Sequence, residues 1–299
     1  PFWCSFYLNN AVSWFIKKNS YNLVHFHFLW NVFASQTLKK KNIPYVITCH
    51  GSDINALSLK PSFKQYLSIK LLNRADHVIF VSQFLRNNAI KLGYTPSSST
   101  IIPNGIDLSI FTPPTSAIKK PFHIGFVGNL IPVKRAQLLP RIFLSVKQHI
   151  PELTMTIVGD GHLRDSIKQE LETHHALEDV FFTGAISPRE VATEMKQMSI
   201  LLLPSISEGW GCVATEAQAC GTSVIGSDNS AIPESIGDGG CIVEEGENFV
   251  QRFADAVVAQ LRNPIPQSKY LARTQHFGWD SIIKQEMAIY TKVLGNNLV

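Results

Sequence analysis

Two doubly wound α/β units in tandem are the fold that this sequence predicts, and three observations carry that expectation. The apolar runs are β-branched and continuous rather than alternating, and helix-length stretches separate them. The pattern also breaks once, at the Pro/Ser-rich segment TPPTSAIKKP (112–121), and then restarts. Continuous apolar runs suit parallel strands buried on both faces, and strands that alternate with helices give a parallel sheet wrapped by those helices.

The elements follow in order. In the first unit NLVHFHFLW (22–30) and YVITCH (45–50) read as buried strands that end in polar residues. HVIFVS (77–82) is the next, with Ser82 placed to cap the helix QFLRNNAIKLG, and STIIPNG (99–105) closes the series. The opening stretch PFWCSFYLNNAVSWFIKK is aromatic-rich and ends in Lys17-Lys18. It reads as a core-facing helix, with a membrane interface as the alternative. After the break come six strand candidates: FHIGFVGNL (122–130), LTMTIVGDG (153–161), VFFTG (180–184), ILLLP (200–204), TSVIGS (222–227) and GGCIVEEG (239–246). Ser187-Pro188-Arg189-Glu190 has the order of a capping box, so a helix starts there.

Composition limits the function classes. The 299 residues are 45% hydrophobic and 17% charged, which is ordinary for a globular protein with room for two cores. No run of eighteen apolar residues exists, so no spanning helix is expected. The chain opens without Met and without a basic segment before an apolar core, so a start further upstream, or a fragment, is expected. Five scattered cysteines, none in a CxxC pair, read as reduced thiols of a cytoplasmic protein and not as a zinc site. Residues 1–120 hold thirteen basic residues against three acidic ones, whereas residues 121–299 hold fourteen against twenty. The basic half suits an anionic partner, either a membrane surface, a phosphorylated acceptor or nucleic acid, or else its lysines only solvate the domain. No nucleic-acid recognition motif accompanies it, so no nucleic-acid partner is expected.

Ligands of such sheets bind beyond the carboxyl ends of the strands. The polar residues there are His50 to Asp53, Gly128-Asn129, Gly159 to Gly161 and Glu208 to Gly211. Glu208 and Glu216 lie eight residues apart. On one helix they would stand ~12 Å apart along the axis, too far for a glycosidase-like acid/base pair. Gly209 and Gly211 instead suggest a strand-to-helix turn at Glu208, with the helix starting near Cys212 and Glu216 on its second turn. A Gly-rich turn at a helix N-terminus is an anion site, and a glutamate on each side fits a phosphate flanked by two polyols, as in a nucleotide-sugar. Two unrelated glutamates are the plain alternative. Gly128 permits close backbone approach, and Lys134 is a point charge for a diphosphate or a solvated lysine. VGDGHLR (158–164) lacks the third glycine of a dinucleotide fingerprint, which disfavours an NAD enzyme. His50 suits acid/base or hydroxyl contact, or a satisfied strand end. His25 and His27 share one face of a strand. With no third ligand evident in the sequence, core hydrogen-bonding roles are expected for them.

Together these residues resemble the retaining glycosyltransferases of family 4, from about residue 20 onward. SEGWGCVATEAQACGTSVIGS (207–227) looks like the family's E-x7-E signature and the segment that follows it. VHFH, CHGSD, ADHVIFVS, IIPNGID, VGNLIPVK, VGDGHLR, FTGAIS and IPESI fall in the family's order, and FGWDSIIKQEMAIYTKVL (277–294) resembles its C-terminal helix. The resemblance implies a GT-B fold, two Rossmann-like domains facing a cleft. They would be residues 1–112, with a C-terminal helix 278–297 packing back on them, and residues 113–277. It implies transfer of a hexose-type sugar from a nucleoside-diphosphate sugar to a glycan or lipid-linked acceptor, with retention and with no metal or other cofactor required. Catalytic roles fall on His50, Glu208 and Lys134. Glu216 would take the ribose, Glu208 the donor sugar, Lys134 the diphosphate and His50 the sugar's side, with Asp53 towards the acceptor. Gly128 and the backbone of Trp210, Gly211, Cys212 and Val213 would help hold the donor, and that of Gly184 to Ile186 would meet the base.

Four departures stand out. Asn129 replaces a common Arg, with Arg135 nearby as a substitute cation, Trp210 replaces a Phe, and Ser223 replaces a Pro. Roughly two βα units of the family precede the VHFH strand and are not in this chain. The expectation is therefore an incomplete N-terminal sheet with an exposed edge, low activity and aggregation, relieved by restoring upstream sequence. The alternative to an enzyme of surface polysaccharide or glycolipid synthesis, peripheral at the inner membrane face, is a catalytically weak nucleotide-sugar-binding remnant.

Overall fold

The computed structural model describes residues 2–30, 35–57, 62–95, 98–114 and 119–295. The chain divides into two compact units, Pro1–Asn104 with Asp280–Val299, and Gly105–Trp279.

The first unit is a four-stranded parallel sheet in the order β1-β2-β3-β4: Val24–His27, Tyr45–Cys49, His77–Phe80 and Ser99–Ile101. Among the described residues β1 pairs only with β2, so it is an edge strand. β2 and β3 are buried at every position, which is why their sequences are unbroken apolar runs. Helices α1 (Phe2–Lys18), α2 (Ser35–Lys40), α3 (Ser52–Asn55), α4 (Phe63–Leu72) and α5 (Gln83–Lys91) connect them. Ser82 caps α5, its hydroxyl accepting from the Leu85 N–H. The core of Val46, Ile79 and Ile102 is completed by Ile282, Ile289 and Val293 of the last helix of the chain, whose Asp280-to-end part belongs to this unit.

The core-facing reading of α1 holds for Ile16, 2% exposed, and fails for Trp14 and Phe15, 54% and 53% exposed. These two pack edge to face, and the Lys18 ammonium lies 4.7 Å from the Trp14 ring.

The second unit is a six-stranded parallel sheet in the order β10-β9-β8-β5-β6-β7. The strands are β5 (His123–Val127), β6 (Thr154–Val158), β7 (Val180–Gly184), β8 (Ile200–Leu203), β9 (Ser223–Ser227) and β10 (Gly240–Val243). All ten strands thus fall on the ten apolar runs. The helices are α6 (Leu139–Lys147), α7 (Arg164–Thr173), α8 (Pro188–Gln197), α9 (Cys212–Ala219), α10 (Ile232–Ile236), α11 (Phe249–Arg262) and α12 (Ser268–Thr274), and the last helix of the chain, α13 (Trp279–Gly295), passes into the first unit from Asp280. Helix α11 shows why such segments are helical. Phe249, Phe253, Ala254, Val257 and Val258 repeat at helical spacing, are buried, and pack on the core that also holds Phe126, Phe143 and Ile157. The capping box at α8 forms as its sequence demands, Ser187 and Glu190 each accepting from the other's backbone N–H. At the unit's margins Ile106 bridges Gly278 in parallel, which ties its first residues to its last.

The break at 112–121 has its residues 115–118 outside the described ones, as are residues 296–297 of the expected C-terminal helix. No helix among the described residues is long and apolar enough to cross a membrane.

Candidate functional site

The strand order of the second unit reverses between β5 and β8, which are sequentially first and fourth yet adjacent. Loops leaving the carboxyl ends of such a pair run to opposite sides and open a crevice. The loop after β5 turns through a 3₁₀ segment, Pro132–Lys134, and the loop after β8 carries Glu208 into α9. Their side chains meet there, with Lys134 Nζ donating to Glu208 Oε1 at 2.6 Å. Glu208 is nearly buried and Lys134 about a quarter exposed. The Glu208 backbone N–H donates to Ser230 Oγ at 2.7 Å, which fixes the loop to the segment after β9.

Gly211 is the N-cap of α9 at φ 86°, a left-handed conformation that glycine adopts without strain, and it supplies no side-chain cap. A Cβ at Gly211 would lie 3.7 Å from Glu208 Cγ, so the Glu208 side chain rests against the turn. The positive end of α9, at Cys212 and Val213, therefore lies beside the Lys134–Glu208 pair, an arrangement suited to an anion. Trp210 is buried, stacks edge to face on Phe277 at 5.4 Å, and its buried indole N–H has no partner among the described residues.

Glu216 sits one turn further along α9, on the second turn as expected, its carboxyl without a hydrogen bond or ion pair among the described residues. Burial alone pushes that carboxyl up to about 7. Gly184 ends β7 at φ 72° with open space where a Cβ would stand, and Ile186 follows it half-buried. Gly128 ends β5 at φ 154°, its N–H on the Val158 carbonyl, and Asn129 beside it is exposed.

Arg135, expected as a substitute cation near Asn129, already has a partner. Its guanidinium forms a two-pronged ion pair with Glu245 at 2.7 and 2.8 Å and lies 4.8 Å from the Phe249 ring. Glu245 also accepts from Asn229. Ser230, Asn229 and Glu245 escaped the sequence reading, because only the adjacency of β8, β9 and β10 brings them to one place.

His50 and Asp53 belong to the first unit. Asp53 is 2% exposed. It accepts backbone N–H groups from Gly51 (2.9 Å), Ile54 (3.1 Å) and Leu29 (3.0 Å). Its carboxylate ties the loop after β1 to the loop after β2, a holding role beside the acceptor-side one expected of it. Its replacement by Ala orphans three buried amides, and urea unfolding is expected to show a loss of about 3 kcal/mol.

His25 is half-buried, its ring bonded to Tyr290 Oη (2.6 Å) and Thr48 Oγ1 (2.7 Å). Burial, with His27 and His50 close by, pulls it down to about 4. His27 Nδ1 lies 2.9 Å from His50 Nε2. Burial and then His27 lower the His50 pKa, against opposing effects of Asp53 and a hydrogen bond to Asn104. Among the described residues no cluster of three or more His, Cys, Asp or Glu is disposed to hold a metal ion.

Comparison with known proteins completes the picture. The family model "Glycosyl transferases group 1" matches residues 111–275, more than half of the chain, and "Glycosyltransferase Family 4" matches residues 2–110. An uncharacterized glycosyltransferase of Methanocaldococcus jannaschii is 28% identical over 75% of this chain and 61% of its own length. A phosphatidylinositol N-acetylglucosaminyltransferase subunit of Homo sapiens is 23% identical over 91% and 57%. D-inositol 3-phosphate glycosyltransferase of Kribbella flavida is 27% identical over 66% and 52%. The chain thus spans between half and two thirds of the length of these relatives. Among solved structures, Anabaena Alr3699/HepE in complex with UDP aligns with a TM-score of 0.84 at 21% identity, over 95% of this chain and 82% of that one. Sucrose-phosphate synthase of Thermosynechococcus elongatus aligns at 0.77 and 22%, over 96% and 77%. These likenesses establish the two-unit GT-B fold.

Proposed function

The chain belongs to the glycosyl transferases group 1 family, and from that premise we propose that it moves a hexose-type sugar from a nucleoside-diphosphate sugar to a glycan or lipid-linked acceptor, with retention of anomeric configuration. One observation carries the reading: Lys134 and Glu208 meet where the strand order of the second unit reverses, beside the N-terminus of α9. In this reading Lys134 and the amides at the start of α9 neutralise the departing diphosphate, which is where charge develops as the glycosidic bond breaks. Glu208 accepts from hydroxyls of the donor sugar, Glu216 accepts from those of the ribose, and Gly184 to Ile186 offer backbone to the base. The complex of Anabaena Alr3699/HepE with UDP and glucose supports a donor of this class. The human relative's name, which carries both an inositol lipid and an amino sugar, supports a lipid-linked acceptor. The exposed Trp14 and Phe15 beside Lys17 and Lys18 suit an anionic membrane surface, as expected for surface polysaccharide or glycolipid synthesis at the inner membrane face.

The test is transfer and donor hydrolysis across a panel of nucleotide-sugars, with Lys134→Met as the variant. One donor is expected to turn over, and Lys134→Met to lower that rate about a hundredfold through loss of a partly buried charge contact. A panel on which nothing turns over, with the chain nonetheless binding nucleoside diphosphates, supports instead the non-catalytic binding remnant. The engagement of Arg135 by Glu245 and the exposed Asn129 favour that second reading, because both take positive charge away from the diphosphate.

A further inference from the structure

The first unit pairs His50 with a second histidine, His27. β1 and β2 run parallel with His27 opposite Thr48, so the His27 ring at the end of β1 reaches the residue that leaves β2, His50. Their rings stack at 5.2 Å and 24°, and His27 Nδ1 is 2.9 Å from His50 Nε2. Two neutral imidazoles at that distance share one proton, so whichever ring donates fixes the tautomer of the other. Two further contacts clamp the His50 ring. Phe28 lies 4.7 Å from it and takes φ 69°, a left-handed conformation uncommon for a bulky side chain. The Asn104 side chain hydrogen-bonds the ring from the loop after β4. Asp53 holds both loops in register through Leu29, Gly51 and Ile54, and the His25 ring lies 4.4 Å from that of His27, tilted by 31°.

We propose that His27 is a positioning residue for His50, fixing which ring nitrogen of His50 carries the proton and how the ring is turned. The proposal rests on the reading that His50 serves the transfer. Facing the pair among the described residues are His25 from β1, Asp53 from α3 and Asn104 from the segment after β4. With His27 gone, a neighbour that disfavours charge on His50 is lost, so His50 takes up a proton at higher pH.

The experiment compares His27→Phe, which keeps a stacking ring and deletes the nitrogen, with His27→Asn, which offers a hydrogen-bonding group in its place. The expected result is a fall in kcat of about tenfold for His27→Phe, the value of one lost hydrogen bond, with KM for the nucleotide-sugar unchanged. Its acid limb should move to higher pH, and His27→Asn should recover most of the rate. Side-chain 15N spectra of His50 without substrate should show one tautomer in the parent and a mixture in His27→Phe. Identical 15N patterns and an unmoved acid limb in His27→Phe overturn the proposal, whatever its effect on rate. Full transfer by His50→Ala overturns instead the reading that His50 serves the transfer, and leaves the 15N comparison to decide on the pairing.

Discussion

Replacing Glu208 by Gln is expected to lower sugar transfer about a hundredfold and, at the same time, to tighten the binding of a bare nucleoside diphosphate. The first half follows from the loss of a charged acceptor for the sugar's hydroxyls. The second half follows from the ion pair. Lys134 already holds a carboxylate at 2.6 Å, so an arriving phosphate must share the ammonium with Glu208. Two charge-assisted contacts end to end put carboxylate and phosphate roughly 5 Å apart. At that separation and an effective dielectric of ~20, the repulsion is about 3 kcal/mol per charge pair before solvent screening. Screening at the partly exposed Lys134 reduces this, and a gain in affinity of about tenfold remains. Isothermal titration with nucleoside diphosphate and a transfer assay on the same protein decide the matter. Equal or weaker nucleoside diphosphate binding by Glu208→Gln would show that Glu208 is not the counter-charge of the diphosphate site. The opposite movement of binding and turnover also separates an electrostatic role from simple damage to the loop, which lowers both.

That pair shows where the sequence stopped being legible. All ten strands could be read from continuous apolar runs, because parallel strands buried on both faces carry their burial in their composition. The turn at Gly211 and the start of α9 at Cys212 were legible for a similarly local reason, a glycine pair before a helical run. Lys134 and Glu208 were each legible as residues after a strand. Their contact was not, since 74 residues separate them and only the adjacency of β5 and β8 joins them. The partners of Arg135 and Asp53 were hidden for a second physical reason. A sequence shows that a charge is present but not what it already holds, and here Glu245 and three backbone amides hold them. The pairing of His27 with His50 combines both difficulties. Its only sequence signal is two strand-end histidines on neighbouring parallel strands.

Glu216 gives the second large effect, and its two consequences have opposite signs. Burial raises its pKa from 4.5 to about 7, so the folded protein keeps a proton that the unfolded chain has already lost. Below pH 4.5 both states are protonated and the group contributes no difference. Between there and pH 7 the stability of the ligand-free protein falls as pH rises, and above pH 7 the penalty is constant at about 3 kcal/mol. Glu216→Gln is therefore expected to unfold at higher urea concentration than the parent at pH 8, by about 2 kcal/mol once the buried amide is allowed its own cost, and at nearly the same concentration at pH 4. Nucleotide binding runs the other way. A carboxylate accepts from both ribose hydroxyls, so in the parent the affinity climbs towards pH 7 and levels off above it, with a proton released on binding below that point. In Glu216→Gln the affinity is lower at pH 8 by ~10–100-fold, the loss of charge-assisted contacts, and its pH dependence through this range is flat. A variant stabilised at pH 8 yet weakened for nucleotide places the cost and the use of the half-buried carboxylate in the same group. A variant stabilised without loss of affinity would leave Glu216 a burial defect with no part in holding the donor.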